Sequence, residues 1–188
     1  MLFVFPSGLS AHPHVFITQS IQIVFNDKGL AGFKVRWQFD DMFSAMIAGD
    51  YDKNENGRLE AAEKKAIRKE AFEPLAEHNY FTFIKIDGKS FQVQYIKDFE
   101  ARLENKRLQY RFLIPCHVTA ISHSKKLTVA TYDSTYYTAI QFADKQPVRL
   151  TDAGAFQVNT SIRKDPDTTI YYGMVHPWTL FLEFCTKP

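Results

Sequence analysis

The feature that most limits what this chain can fold into is its succession of short alternating runs, each closed by a turn, on both sides of one block of helical periodicity. In residues 14–25 apolar side chains recur at period two (Val15, Ile17, Ile21, Ile23, Phe25), the spacing of a half-buried strand. Asn26-Asp27-Lys28-Gly29 reads as a turn and residues 30–37 as the returning strand. Downstream, residues 81–86 lead into Asp87-Gly88, a hairpin signal, which residues 91–95 answer. Residues 99–103 and 108–114 flank Asn105-Lys106 in the same way, and further strands are expected at 127–132, 138–142, 148–150, 156–162, 169–172 and 176–184. Many short strands with close turns predict a β-sandwich, and the helices come in one early block. The expected class is therefore α+β: an antiparallel β-sandwich with an inserted helix-loop-helix, EF-hand-like segment at about residues 39–78.

That insertion centres on residues 52–63, which fit the calcium-loop pattern D-x-[DN]-x-[DN]-G-x5-E without a gap. Calcium takes six to eight oxygens, so one short loop must wrap around it. Asp52, Asn54 and Asn56 would offer side-chain oxygens, Arg58 its carbonyl, Glu60 a contact through water, and Glu63 two closing oxygens. Gly57 would supply the sharp turn that a Cβ resists. Before the loop, Phe39, Met42, Phe43, Met46 and Ile47 repeat at helical spacing; after it, Leu59, Ala62, Ala66 and Ile67 do so. Only three of the ligand side chains are carboxylates, which points to weak, extracellular-grade binding of about 10 µM to 1 mM. A lone loop of this kind suits a structural clamp better than a switch. Residues 70–78 are expected to add a short helix, interrupted or re-aimed at Pro74.

A chain of 188 residues with net charge +2 and no long basic run is a poor nucleic-acid binder. No apolar run approaches the ~20 residues that span a bilayer, so the chain is not expected to be transmembrane. Leu2-Phe3-Val4-Phe5 followed by small residues up to Ala11 resembles the end of a secretory signal. Residues 1–11 are thus read as a signal remnant and 12–188 as one exported domain. Cys116 and Cys185 allow either a disulfide between strands or two separate thiols. Cleavage after Ala11 would make His12 the amino terminus, with His14 two residues on; neutral imidazoles suit zinc, nickel or copper. Pro13 lacks the amide that the common amino-terminal chelate uses, so such a site needs another ligand from the fold. His176, His123, His78 and His117 are further histidines without positional evidence. No nucleophile elbow, zinc-protease or phosphate-loop motif is present.

Several stretches together resemble one bacterial family: His12-Pro13-His14-Val15-Phe16-Ile17, Trp37-Gln38-Phe39-Asp40, Asn79-Tyr80-Phe81-Thr82, Tyr110-Arg111-Phe112 and Tyr132-Asp133-Ser134-Thr135-Tyr136-Tyr137. It is the family of periplasmic proteins of unknown function described as a component of an uncharacterised ABC-type transport system. The likeness runs from His12 to about Phe142. It implies a periplasmic location and a membrane transporter component as partner. The leading expectation is a non-enzymatic, metal-binding accessory protein of a transition-metal transport system, with structural calcium at residues 52–63. The alternative is an interaction module whose only ligand is calcium. A copper enzyme using His12 is a third, remoter reading.

Overall fold

Alternation builds the first hairpin of the computed structural model, which describes residues 13–188. β1 (Val15–Asn26) and β2 (Gly29–Phe39) pair antiparallel, with Ile17, Ile21, Ile23, Phe33, Val35 and Trp37 buried on one face. The Asn26 side chain closes the turn by accepting from the N–H groups of Lys28 and Gly29. The remaining strands are β3 (Thr82–Ile86), β4 (Lys89–Phe91), β5 (Lys97–Glu104), β6 (Arg107–Thr119), β7 (Lys125–Thr131), β8 (Thr138–Phe142), β9 (Val148–Thr151), β10 (Phe156–Lys164) and β11 (Trp178–Thr186). They form two sheets. Sheet A has the order β5-β6-β2-β1-β8, with β9 also on β1; sheet B has the order β10-β11-β7-β3-β4. Both contribute to one hydrophobic core, so the architecture is mostly β and sandwich-like, with few helices.

The expected antiparallel sandwich needs correcting. β8 and β9 both pair with β1 in parallel. The chain leaves β7 in sheet B, crosses through residues 132–137, and enters sheet A where β1 begins. There the N–H groups of His14 and Val15 donate to the Tyr137 carbonyl at 2.9 and 3.2 Å. A hairpin turn forces antiparallel pairing, whereas a crossover between sheets allows either direction. The strand expected at residues 169–172 is also absent. An isolated bridge between Ile170 and Val175 closes a tight turn there, with Tyr171 and Tyr172 at φ +49° and +57°.

The helices sit against β5 and β6. Asp40 caps α1 (Asp41–Tyr51): its Oδ1 accepts from Phe43 N at 2.9 Å while Oδ2 accepts from Phe16 N at 2.7 Å, tying the helix start to β1. Ser44 is fully buried, and its hydroxyl accepts from Leu108 N on β6. α2 (Ala61–Ile67) opens with a capping box between Glu60 and Glu63. It runs on into a π-helical turn at Arg68–Phe72 and a 3-10 segment at Glu73–Phe81. The chain is re-aimed at Asn79, Tyr80 and Phe81, all at φ of +50° to +53°, and not at Pro74. Proline lies in the first turn of the 3-10 segment, where a missing N–H costs nothing. Phe72 drives the block into the core, its ring stacked 4.1 Å from Phe99 and tilted against Phe112 at 5.1 Å.

No disulfide joins Cys116 and Cys185; both are free thiols. On β6 the buried positions are Phe112, Ile114, Cys116 and Val118, so Cys116 points into the core. On β11 they are Leu180, Leu182 and Phe184, so Cys185 falls out of phase on the opposite face. Burial pushes the Cys116 thiol up to about 12. One register row of the core is polar. Gln19, Trp37 and Tyr110 are cross-strand neighbours on β1, β2 and β6. The Gln19 amide, Trp37 Nε1 and the Tyr110 hydroxyl are buried without a hydrogen-bond partner among the described residues.

Candidate functional site

Residues 52–60 connect α1 to α2, and the loop is held by its own oxygens. Asp52 ends α1 and is 6% exposed. Its Oδ1 accepts from Asn56 N at 3.2 Å and its Oδ2 from Gly57 N at 2.8 Å. Gly57 stands at φ +75°, the left-handed turn for which its lack of a Cβ is suited. Glu63 reaches back across the loop: Oε1 accepts from Lys53 N at 2.9 Å and Oε2 from Glu60 N at 2.8 Å. Glu60 Oε1 in turn accepts from the side-chain amides of Asn56 at 2.7 Å and Asn54 at 3.4 Å. Asn56 Oδ1 accepts from Arg58 N at 2.8 Å, and Leu59 anchors the loop in the core. Hydrogen bonding shared with Glu63 in the capping box, then the side-chain amides of Asn56 and Asn54 donating to it, holds the Glu60 carboxyl down to about 2.

The structure thus brings Asp52, Asn54, Asn56, Glu60 and Glu63 into one hydrogen-bonded loop. Both side-chain amides, of Asn54 and Asn56, are turned to Glu60. Among the described residues, no three His, Cys, Asp or Glu side chains come together closely enough to hold a metal ion.

The histidines lie apart from this loop. His12 and residues 1–11 fall outside the described residues. His14 is exposed, with its ring 5.0 Å from that of Tyr137. His123 lies beside Ser122, and His78 packs 6.2 Å from Phe81. His176 is the best oriented. Its Nδ1 faces the carbonyls of Asp165 at 3.2 Å and Thr168 at 3.0 Å. Carbonyls only accept, so Nδ1 carries the proton and Nε2 is left as the acceptor in the neutral ring. His176 lines a small cavity of about 140 Å³ between β8 and sheet B, with Tyr132, Tyr136, Trp178 and Thr131. Thr131 is 2% exposed, and its hydroxyl has no partner among the described residues. The Tyr132–Tyr137 stretch therefore does two things: it carries the chain between sheets and walls this cavity.

These same stretches, the β1 start, the 132–137 crossover and the 165–172 turn, lie within the region shared with known proteins. The sequence signature of a family described as protein of unknown function (DUF1007) covers residues 1–172. The chain belongs to the DUF1007 family. The shared region extends to residue 172, thirty residues beyond the limit at Phe142 that the motifs alone suggested. An uncharacterised 15.5 kDa protein in the trpE 3' region of Spirochaeta aurantia is 31% identical over 135 residues, covering 71% of this chain and 94% of the relative. An uncharacterised protein of Haemophilus influenzae is 27% identical over 149 residues, covering 75% of this chain and 68% of the relative. Among the described residues of this DUF1007 protein, no helix is long and apolar enough to cross a membrane.

Proposed function

We propose that this chain is an exported, non-enzymatic accessory protein of a membrane transport system. Calcium at residues 52–63, in an EF-hand-like arrangement, would clamp its helical insertion onto the sandwich. The observation that carries the calcium reading is the reach of Glu63 to Lys53 N, which closes the twelve-residue segment end to end. By chemical type the donors suit the ion, since Asp52, Asn54, Asn56, the Arg58 carbonyl, Glu60 and Glu63 offer only hard oxygens, and binding would require the three acids to converge. For Asn54 and Asn56 to ligate through oxygen, their amide contacts to Glu60 must give way. That cost and the low acid count both favour weak binding. The periplasmic location and the transporter as partner rest on the family resemblance alone.

Calorimetry and thermal unfolding of metal-free protein test the calcium reading. At a hundredfold excess over Kd, calcium should stabilise the fold by about 2.7 kcal/mol. Glu63→Gln is the informative variant. A glutamine still completes a capping box but offers no anionic bidentate ligand. It should leave metal-free stability within about 0.5 kcal/mol and weaken calcium binding at least tenfold, about 1.4 kcal/mol. Absence of heat and of any melting shift at millimolar calcium would remove the reading.

A second reading adds a transition metal at His12 and His14. The exposed His14 ring at the start of β1 favours it. Zinc, nickel and copper titrations of mature protein, repeated with His14→Ala, decide between this reading and a module that binds calcium alone. Copper-dependent oxidative chemistry would also require a third nitrogen ligand near His12.

A further inference from the structure

The outer face of sheet A carries a charge arrangement that sheet stability alone disfavours. Arg36 on β2 stands directly opposite Arg111 on β6 in the antiparallel register. Directly opposed side chains have Cβ atoms roughly 4.5–5.5 Å apart, and like charges at that spacing repel. Lys34 lies on the same face two residues before Arg36. Across the sheet, the segment from β8 to β9 adds Lys145 and Arg149, and these five cations line one open concavity of about 760 Å³.

Little in the protein neutralises them. Among the described residues Lys34, Arg111 and Lys145 make no ion pair, and Arg149 bonds only the neutral Gln146 side chain. Arg36 has Glu104 at 4.0 Å and is otherwise oriented by Gln109 and Gln38. The acids lining the concavity are Asp98 and Glu100 at the β5 rim. Glu100 is opposite Arg111 in register, yet its carboxylate lies 2.8 Å from Arg102. Three more cations than acids therefore line the concavity. Guanidinium groups offer forked donors that match phosphate and sulfate oxygens.

We propose that this face binds a soluble, multiply charged oxyanion: a small molecule bearing two or more phosphate or sulfate groups. Arg36 and Arg111 would grip one group, and Lys145 and Arg149 another. The size supports a small molecule over a flat charged surface, since about 300–1,000 Å³ is the usual volume of a ligand cleft. The proposal does not depend on calcium or on the histidines.

Inorganic tripolyphosphate is the probe, titrated by calorimetry into the full chain at low and high salt. Submillimolar binding at low salt that weakens as salt rises is expected. The Arg36→Gln/Arg111→Gln double variant and the separate Lys145→Gln/Arg149→Gln variant should each bind at least tenfold more weakly. Lys69→Gln, on the helical segment, should bind like the parent. Arg111→Gln without anion should melt at or above the parent temperature, because it removes a repulsion. A large fall in melting temperature would make Arg111 a structural residue and overturn its assignment. No binding of tripolyphosphate, or undiminished binding by both double variants, overturns the proposal. So does association with phosphatidylglycerol vesicles alone, which would make the face a membrane contact.

Discussion

The loop at residues 52–63 and the basic face of sheet A are built in opposite ways. The polar side chains of the loop come from twelve consecutive residues and are held by bonds no longer than ten residues in sequence. The basic face takes Arg36 and Arg111 from strands 75 residues apart and adds a crossover segment from further along. The loop can therefore be damaged or repaired locally, whereas the face exists only while the β2–β6 register holds. That difference yields a graded set of expectations.

The largest effect is expected at Gly32. It stands at φ +157° where the β2 register shifts against both neighbours, and a Cβ there would lie 2.4 Å from the Ile114 carbonyl oxygen. Gly32→Ala should destabilise by about 3 kcal/mol or more in urea unfolding and abolish tripolyphosphate binding, through register rather than charge. Gly57 makes the contrast. A Cβ there meets nothing within 4 Å, so only its φ of +75° resists substitution. Gly57→Ala should cost about 1–2 kcal/mol, lower calcium affinity, and leave the basic face intact. Equal costs at the two glycines would break the distinction between local and assembled sites.

Smaller still is the effect expected at Gln19, behind the basic face. Its buried amide has no partner among the described residues, so it contributes desolvation without a bond. Gln19→Met should leave stability unchanged or raise it by up to about 1–2 kcal/mol. A clear loss would mean that polar bonding, not apolar packing, fixes this row.

The smallest effect lies outside both regions, where β6 meets the start of α1. Arg107 on β6 donates to both carboxylate oxygens of Asp41 in α1, at 2.7 and 3.1 Å. Those hydrogen bonds, and then the guanidinium charge, hold the Asp41 carboxyl below the usual carboxylate range. A lowered folded pKa gives stability that is present above the ordinary Asp value and lost as pH falls through the lowered one. The pair is solvent-exposed, so the contribution is slight. Carboxyl titration followed by NMR should place Asp41 below its ordinary value, and Arg107→Gln should return it there.

Much of the secondary structure was readable because its signals are local. The first hairpin and the Asp87-Gly88 turn depend on side chains a few residues apart. The turn at residues 169–172 misled because its aromatic residues suit a strand, while the bridge between Ile170 and Val175 closes the chain on itself. The basic face escaped notice because its cations are scattered. Lys34 and Arg36 alternate with buried Val35 and Trp37, and Arg111 sits between buried Tyr110 and Phe112. Outward-facing cations on two candidate strands were the available signal, but opposition depends on register.

Composition and periodicity alone determined that the chain would be rich in short strands, with one helical block around a loop of hard oxygen donors. Tertiary structure decided that sheet A is mixed, that the cysteines face opposite ways, that His176 keeps its proton on Nδ1, and that two arginines confront each other. The reason is one of range. Turns, caps and alternation are set by steric and hydrogen-bonding terms within a few residues. Strand order, direction and register are set by how distant apolar faces share one core.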